Sequence, residues 1–198
     1  MRIGIYGGTF DPPHLGHLIM ANEAQYQFRL DKLLWVLTGD PPHKQGQPIT
    51  ELAHRLRMVQ LTLSEEPDNE LSRIEIDRPS PHYAVDTIHL LAEQHPQAEL
   101  IYLMGGDSLR EITGWHRPLE LVAACHEIGV MRRPGDNIDL ASLEQQLPGL
   151  TDKVHFVDAP LLEISSREIR QRIANGRPFR HYLHTYVYQY IQEYQLYR

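Results

Sequence analysis

Six apolar runs of strand length alternate with segments of helical period along the 198 residues, and this alternation restricts the possible folds more than any other feature. The runs are Arg2 to Tyr6, Lys32 to Leu37, Ser72 to Ile76, Leu100 to Met104, Glu127 to Met131 and Lys153 to Val157. Helical stretches fall near Gly16 to Arg29, Glu51 to Ser64, Pro81 to Gln94, Pro118 to Ala123 and Leu140 to Gln146. Two more, Ser166 to Asn175 and His181 to Tyr194, follow the last strand. Strands separated by helices pair in parallel, because the helix carries the chain back across one face of the sheet. The expected fold is α/β: a single Rossmann-like parallel-sheet domain with helices on both faces and a C-terminal helical segment, over residues 1–198. Ser80-Pro81 reads as an N-cap followed by proline at the first helical position, with Ala84, Ile88 and Leu91 as a buried stripe. Ser165 and Glu168 read as a capping box, and Asn175-Gly176 closes that helix.

Composition narrows the class further. Hydrophobic residues make up 41% and charged residues 23%, which suits a packed core and not a disordered tail. The longest apolar runs, Leu100 to Met104 and Leu121 to Cys125, are far shorter than the ~20 residues that span a bilayer. No membrane span is expected, and no export signal is read ahead of Gly7-Gly8, so the cytoplasm is the expected location. Cys125 is the single cysteine and has no disulfide partner within the chain, and its apolar neighbours place it in the expected core. A net charge of −7 argues against a general binder of nucleic-acid polymers. Against that background, Arg167, Arg170, Arg172, Arg177 and Arg180 form a local basic cluster that suits a small anion or, equally, a solvated helix face.

The first strand runs directly into Gly7-Gly8-Thr9-Phe10-Asp11-Pro12-Pro13-His14-Leu15-Gly16-His17 and then a helix. A glycine pair at a strand's carboxyl end admits close approach of a phosphate, and the helix mouth adds unpaired N–H groups and a positive dipole end. The spacing is neither the dinucleotide fingerprint nor a P-loop, so hydride transfer is not expected. Two histidines around one glycine can donate to phosphate oxygens and answer developing negative charge. Read without their context, the same pair also suits a metal site or two ordinary surface histidines.

The stretch GGTFDPPHLGH resembles the signature of the HxGH nucleotidylyltransferase superfamily. Its second signature has a counterpart in Ile164-Ser165-Ser166-Arg167-Glu168-Ile169-Arg170, where Arg167 stands in place of a common threonine. In detail the chain is similar to the bacterial nicotinate mononucleotide adenylyltransferases. Matching stretches are Pro41-Pro42-His43-Lys44, Tyr83 with Asp86-Thr87, Gly106-Asp107-Ser108-Leu109 with Trp115-His116, and Arg132-Arg133-Pro134-Gly135. The chain departs from the family's Ser-Tyr-Thr by reading His82-Tyr83-Ala84, so a contact at Ala84 must use the backbone.

The resemblance implies adenylyl transfer from ATP to nicotinate mononucleotide, releasing pyrophosphate, with Mg2+ held mainly by the substrate phosphates and no protein metal ligand. It implies catalytic roles for His14, His17 and Arg170. Gly7, Gly8, Thr9, Phe10, Asp107, Arg133, Ser165 and Ser166 would join them in binding ATP, with Asp107 accepting from ribose hydroxyls. Thr9, Lys44, Tyr83, Thr87, Trp115 and His116 would bind the mononucleotide, with Trp115 stacking on the pyridine. The partners are then two small molecules, and the oligomeric state stays open. Adenylyl transfer to phosphopantetheine is the near alternative, and a non-catalytic nucleotide-binding regulator the distant one.

Overall fold

A computed structural model describes residues 1–40, 48–132, 137–160 and 162–198. Its strands are β1 (Arg2–Gly8), β2 (Lys32–Leu37), β3 (Asn69–Ser72), β4 (Glu99–Gly105), β5 (Glu127–Met131) and β6 (Val154–Val157). They form one sheet in the order β3-β2-β1-β4-β5-β6, with every neighbouring pair parallel. β1 is central, with Ile5 beside Leu34 on one flank and Tyr102 on the other. The order reverses between β1 and β4, which in sheets of this kind opens a crevice at the carboxyl ends of the strands.

Both faces are covered, so the central strands are apolar on both sides. On one face Ile3, Ile5, Leu100, Ile128 and Val130 pack under α3 (Ala84–Gln94), α4 (Gly106–Glu111), α5 (Pro118–Ala124), α6 (Leu140–Gln146) and α7 (Leu150–Lys153). The other face carries Leu33, Trp35, Ile101 and Leu103 against Met20, Ala21 and Ala24 of α1 (Leu15–Gln27). A third cluster joins Met58 of α2 (Leu52–Thr62) to Ile169 and Ile173 of α8 (Ser166–Ala174) and Val187 and Ile191 of α9 (Thr185–Glu193). Together these give the single Rossmann-like unit with a C-terminal helical segment. Among the described residues no helix is long and apolar enough to cross a membrane.

Three boundaries differ from the expectation. β3 ends at Ser72, where a strand was expected over Ser72 to Ile76. Beyond Ser72 the chain turns, with the Asp77 N–H donating to the Arg73 carbonyl and the Arg73 guanidinium pairing with Asp77 at 2.7 Å. Helix α3 begins at Ala84, with Tyr83 as N-cap, and not at Pro81. The Pro81 and Tyr83 carbonyls instead receive the Arg78 guanidinium at 3.3 and 3.2 Å, which holds residues 78–83 as a loop. Lys153 closes α7 without entering β6, and its ammonium donates to the carbonyls of Val122, Ala123 and Cys125, satisfying the exposed end of α5. Cys125 is buried as expected, and burial pushes its thiol up to about 12.

Candidate active site

A cleft of about 660 Å³ opens over the carboxyl ends of β1 and β4, where the strand order reverses. Gly7 and Gly8 from the end of β1, Gly105 from the end of β4 and Met131 from the end of β5 form its floor. At the end of β1 the reason for glycine is space. A Cβ on Gly8 would lie 2.8 Å from the Phe10 ring, which folds back under the loop. Phe10 takes a positive φ of 46° to do so and is only 2% exposed, wedged against Tyr6 and Trp35 at 5.5 and 5.0 Å between centroids. Phe10 therefore offers the cleft backbone, and its side chain is core.

His14 is the N-cap of α1, in extended conformation, and His17 stands one turn further on. The His14 N–H donates to His17 Nδ1 at 3.0 Å. That bond uses the Nδ1 lone pair, so the neutral His17 ring carries its proton on Nε2. The two imidazoles stack at 3.6 Å and 20°, and Phe10 packs edge-on against His17 at 5.1 Å. Gly16 permits this pairing, since a Cβ there would lie 3.1 Å from His14 Cε1 and Nδ1.

The second expected segment closes the cleft from across the chain. Ser165 caps α8, accepting from the Glu168 N–H at 3.2 Å, while the Glu168 carboxylate pairs with Arg172 and does not return to the cap as a capping box would. The Ser166 hydroxyl donates to the Pro12 carbonyl at 2.8 Å, and Arg170 Nη1 donates to the Asp11 carbonyl at 2.7 Å. The N-termini of α1 and α8 thus meet at one place, with Arg167 and Arg170 both lining it. Two dipole ends and two guanidiniums there favour negative charge. Of the five arginines clustered in sequence, Arg172 instead stacks on Tyr182 at 4.7 Å and Arg180 lies over Tyr188 at 5.8 Å, and neither Arg177 nor these two lines the cleft.

Aromatic residues occupy the other end. Trp115 lies edge-on to Tyr102 at 6.3 Å, and the Tyr83 ring stacks on His116 at 4.0 Å. Asp107 lies in the first turn of α4 and lines the cleft with its carboxylate on Arg110; the N-cap of that helix is Gly105. Thr9 also lines the cleft. Thr87 does not, being 1% exposed with its hydroxyl donating to Glu75 at 2.7 Å and accepting from Arg78 at 3.0 Å. Lys44 and Arg133 lie outside the described residues.

Sequence reading missed several residues that hold this site. Arg55 is 2% exposed and donates to the carbonyls of Thr9, Thr38, Gly39 and Thr50, fastening the loops after β1 and β2 together. Desolvation lowers its pKa from the usual guanidinium value, opposed by the negative charge of Asp11. Asp11 is itself 4% exposed and accepts from the Thr50 N–H and the Tyr197 hydroxyl at 3.2 and 2.7 Å. His82 bridges the Asp40 N–H and the Arg78 carbonyl. The available signals were a charged residue within a helix's apolar stripe, for Arg55, and the departure from the family wording, for His82.

Residues 5–172 match the family model described as cytidylyltransferase-like. The chain belongs to the cytidylyltransferase-like family. Within it, a Thermomicrobium roseum protein named "Probable nicotinate-nucleotide adenylyltransferase" is 43% identical over 197 residues, covering 100% of this chain and 92% of the relative. A Desulfitobacterium hafniense protein of the same name is 40% identical over 198 residues, covering 100% and 96%. Among solved structures, Plasmodium falciparum nicotinic acid mononucleotide adenylyltransferase complexed with NaAD superposes with a TM-score of 0.81 at 22% identity, over 99% of this chain and 97% of that one. The same enzyme complexed with APC gives 0.79 at 23%, over 99% and 96%. At those identities the likeness establishes the family's fold for this chain.

Proposed function

We propose that this protein is the adenylyltransferase of NAD biosynthesis that joins ATP to nicotinate mononucleotide, yielding nicotinate adenine dinucleotide and pyrophosphate. The observation that carries the reading is the cleft at the strand-order reversal, with a histidine pair and two helix N-termini at one end and Trp115 and Tyr83 at the other. One end suits a triphosphate and the other a flat ring. Relatives about 40% identical over the whole chain carry the corresponding name.

The mononucleotide's phosphate is already ionised at neutral pH, so attack on the α-phosphorus of ATP needs no general base and no enzyme nucleophile. The work left to the protein is alignment and stabilisation of charge moving toward the leaving pyrophosphate. His17 presents an Nε2 proton because Nδ1 is occupied by the His14 N–H, which fits it to donate to a phosphate oxygen. His14 beside it serves the same phosphates, and Gly7, Gly8, Thr9 and Phe10 supply backbone around them. Ser165, Ser166 and Arg170 hold the triphosphate tail, and Arg167 adds a charge that partly replaces the family's threonine. Asp107 accepts from the adenosine ribose, as Arg133 completes the nucleotide side. Trp115 and His116 take the pyridine, with Tyr83 and backbone N–H groups at Ala84; Lys44 and Thr9 take the phosphate of the mononucleotide. Thr87 acts from behind, steadying the first turn of α3 through Glu75.

A Mg2+ ion on the phosphates would supply further charge neutralisation. Mg2+ keeps most of its coordination for water and substrate phosphates, so those oxygens would hold it in the main. ATP is an intracellular substrate, which supports a cytoplasmic site of action.

The substrate assignment is tested by supplying ATP and Mg2+ with nicotinate mononucleotide, its amide, or phosphopantetheine, and measuring pyrophosphate together with the dinucleotide formed. Backbone donors in the ring pocket would face the amide nitrogen donor to donor, leaving buried groups unpaired at about 1–3 kcal/mol each. The expected result is a preference for the acid of at least about 10²-fold in kcat/KM. Equal use of acid and amide would contradict the donor pocket, and turnover of phosphopantetheine alone would contradict the assignment.

A further inference from the structure

Tyr197, the penultimate residue, reaches back 186 positions to place its hydroxyl 2.7 Å from Asp11 Oδ1. It does so with a φ of 66°, a left-handed conformation that a bulky residue adopts only when its surroundings impose it. Leu196 and Tyr197 pack against the cluster of α2, α8 and α9, so the tail is seated by apolar contact as well as by the hydroxyl. The groups facing that hydroxyl are Asp11, the Thr50 side chain, the charge of Arg170 and, through a 3.9 Å contact between Sδ of Met58 and the oxygen, the inner side of α2. Burial, reinforced by the Asp11 carboxylate, raises the Tyr197 pKa, so it remains a donor throughout the ordinary pH range.

The receiving residue connects directly to the phosphate end of the cleft. Asp11 is almost fully buried; its Oδ2 accepts from the Thr50 N–H, and its main-chain carbonyl accepts from Arg170 Nη1 at 2.7 Å. The same Nη1 lies 3.9 Å from Asp11 Oδ2. One corner of the Arg170 guanidinium is thus tied to Asp11, which leaves Nη2 and Nε to face a ligand. Without the tyrosine, Asp11 Oδ1 would be a buried oxygen lacking its short donor, a state relieved by rotation of the side chain or entry of water.

We propose that Tyr197 is a positioning residue for the transfer reaction: through Asp11 it fixes the carbonyl that orients Arg170 toward the triphosphate tail. The inference rests on the reading that Arg170 holds that tail, and adds to it a part played by the last turn of the chain. A guanidinium already oriented loses less freedom on binding phosphate, and that advantage belongs to ATP and not to the mononucleotide.

The experiment is a double-mutant cycle with Tyr197→Phe, Arg170→Ala and the combination, reading kcat/KM for ATP, KM for nicotinate mononucleotide and melting temperature. Phenylalanine keeps the ring's packing and removes only the hydroxyl. Tyr197→Phe is expected to lower kcat/KM for ATP by about 10-fold while KM for the mononucleotide stays within about 2-fold. In the Arg170→Ala background it should have no further effect on kcat/KM, because the group it acts through is gone. A merely structural tyrosine would give the same factor in both backgrounds, or would shift both substrates along with the melting temperature, and either result overturns the proposal. Unchanged kcat/KM in Tyr197→Phe beside a large loss in Arg170→Ala overturns this inference alone. Full activity of Arg170→Ala overturns it together with the assigned role of Arg170.

Discussion

Gly16 has no side chain to offer the cleft, yet the histidine pair depends on it. A methyl group there would sit 3.1 Å from two atoms of the His14 ring, and His14 is buried with its ring stacked on His17, with little room to yield. Alanine is otherwise the better helix residue by about 0.8–1.0 kcal/mol. Gly16→Ala is therefore expected to lower kcat at least about 10-fold, and the overpacking, at about 1–3 kcal/mol, offsets or exceeds the helix gain so that the melting temperature does not rise, as kinetics and thermal unfolding of the same preparation will show. Unimpaired turnover would mean that the ring arrangement is not what the reaction uses. The glycines and histidines of residues 7–17 were legible because their types and spacing are local. Asp11 sits in the same run and was not legible in its role, since Thr50, Arg170 and Tyr197, which define it, are brought to it only by the fold. Thr87 shows the reverse: its place in a matching stretch suggested a ligand contact, while the fold buries it and turns its hydroxyl to Glu75, which lines the cleft in its stead.

At the level of elements, strands buried on both faces announce themselves as apolar runs, and β1, β2, β4 and β5 fall where those runs lie. The short edge strand β3 was displaced because Ile74 and Ile76 continue the apolar pattern into a turn, each packing against a different core cluster. The start of α3 was misread because Ser-Pro imitates a helix opening, and the carbonyl bonds from Arg78 that hold the loop are invisible in a local window. Helix α7 shows a comparable device. It lasts four residues, and the Glu144 carboxylate accepts from the N–H groups of Gly149 and Thr151 and from the Thr151 hydroxyl at 2.7, 2.8 and 2.6 Å. Those bonds, led by the hydroxyl, lower the Glu144 pKa from the ordinary 4.5 to about 2. A depressed carboxylate contributes stability that is fully present above its unfolded value and is lost as pH falls through the folded one. Glu144→Gln should therefore melt below the parent near pH 7, and the difference should shrink between about 4.5 and about 2. A difference that stays constant across that range would show that the charge on Glu144 plays no part.

The whole molecule turns separate stretches of sequence into one site through a single topological fact, the reversal of strand order between β1 and β4. That reversal opens the cleft, sets the mouth of α1 at its edge, and lets α8 return with Ser165, Ser166 and Arg170 after five further strands. Sequence indicated both ends of this arrangement, through the two motifs and through the aromatic residues Tyr83 and Trp115. It did not indicate Arg55, which ties the loops after β1 and β2 by four main-chain carbonyls and supports the floor on which the histidines stand. The central claim is that the His14–His17 pair, stacked at 3.6 Å at that mouth, stabilises the charge that moves toward pyrophosphate. The measurement closest to it is the steady-state rate of pyrophosphate release from ATP and nicotinate mononucleotide by folded His14→Ala and His17→Ala proteins beside the parent. Each is expected to fall by roughly 10²–10³ in kcat with its unfolding transition retained, as for loss of one donor to a transition-state oxygen. Near-parental rates in both proteins would contradict the account.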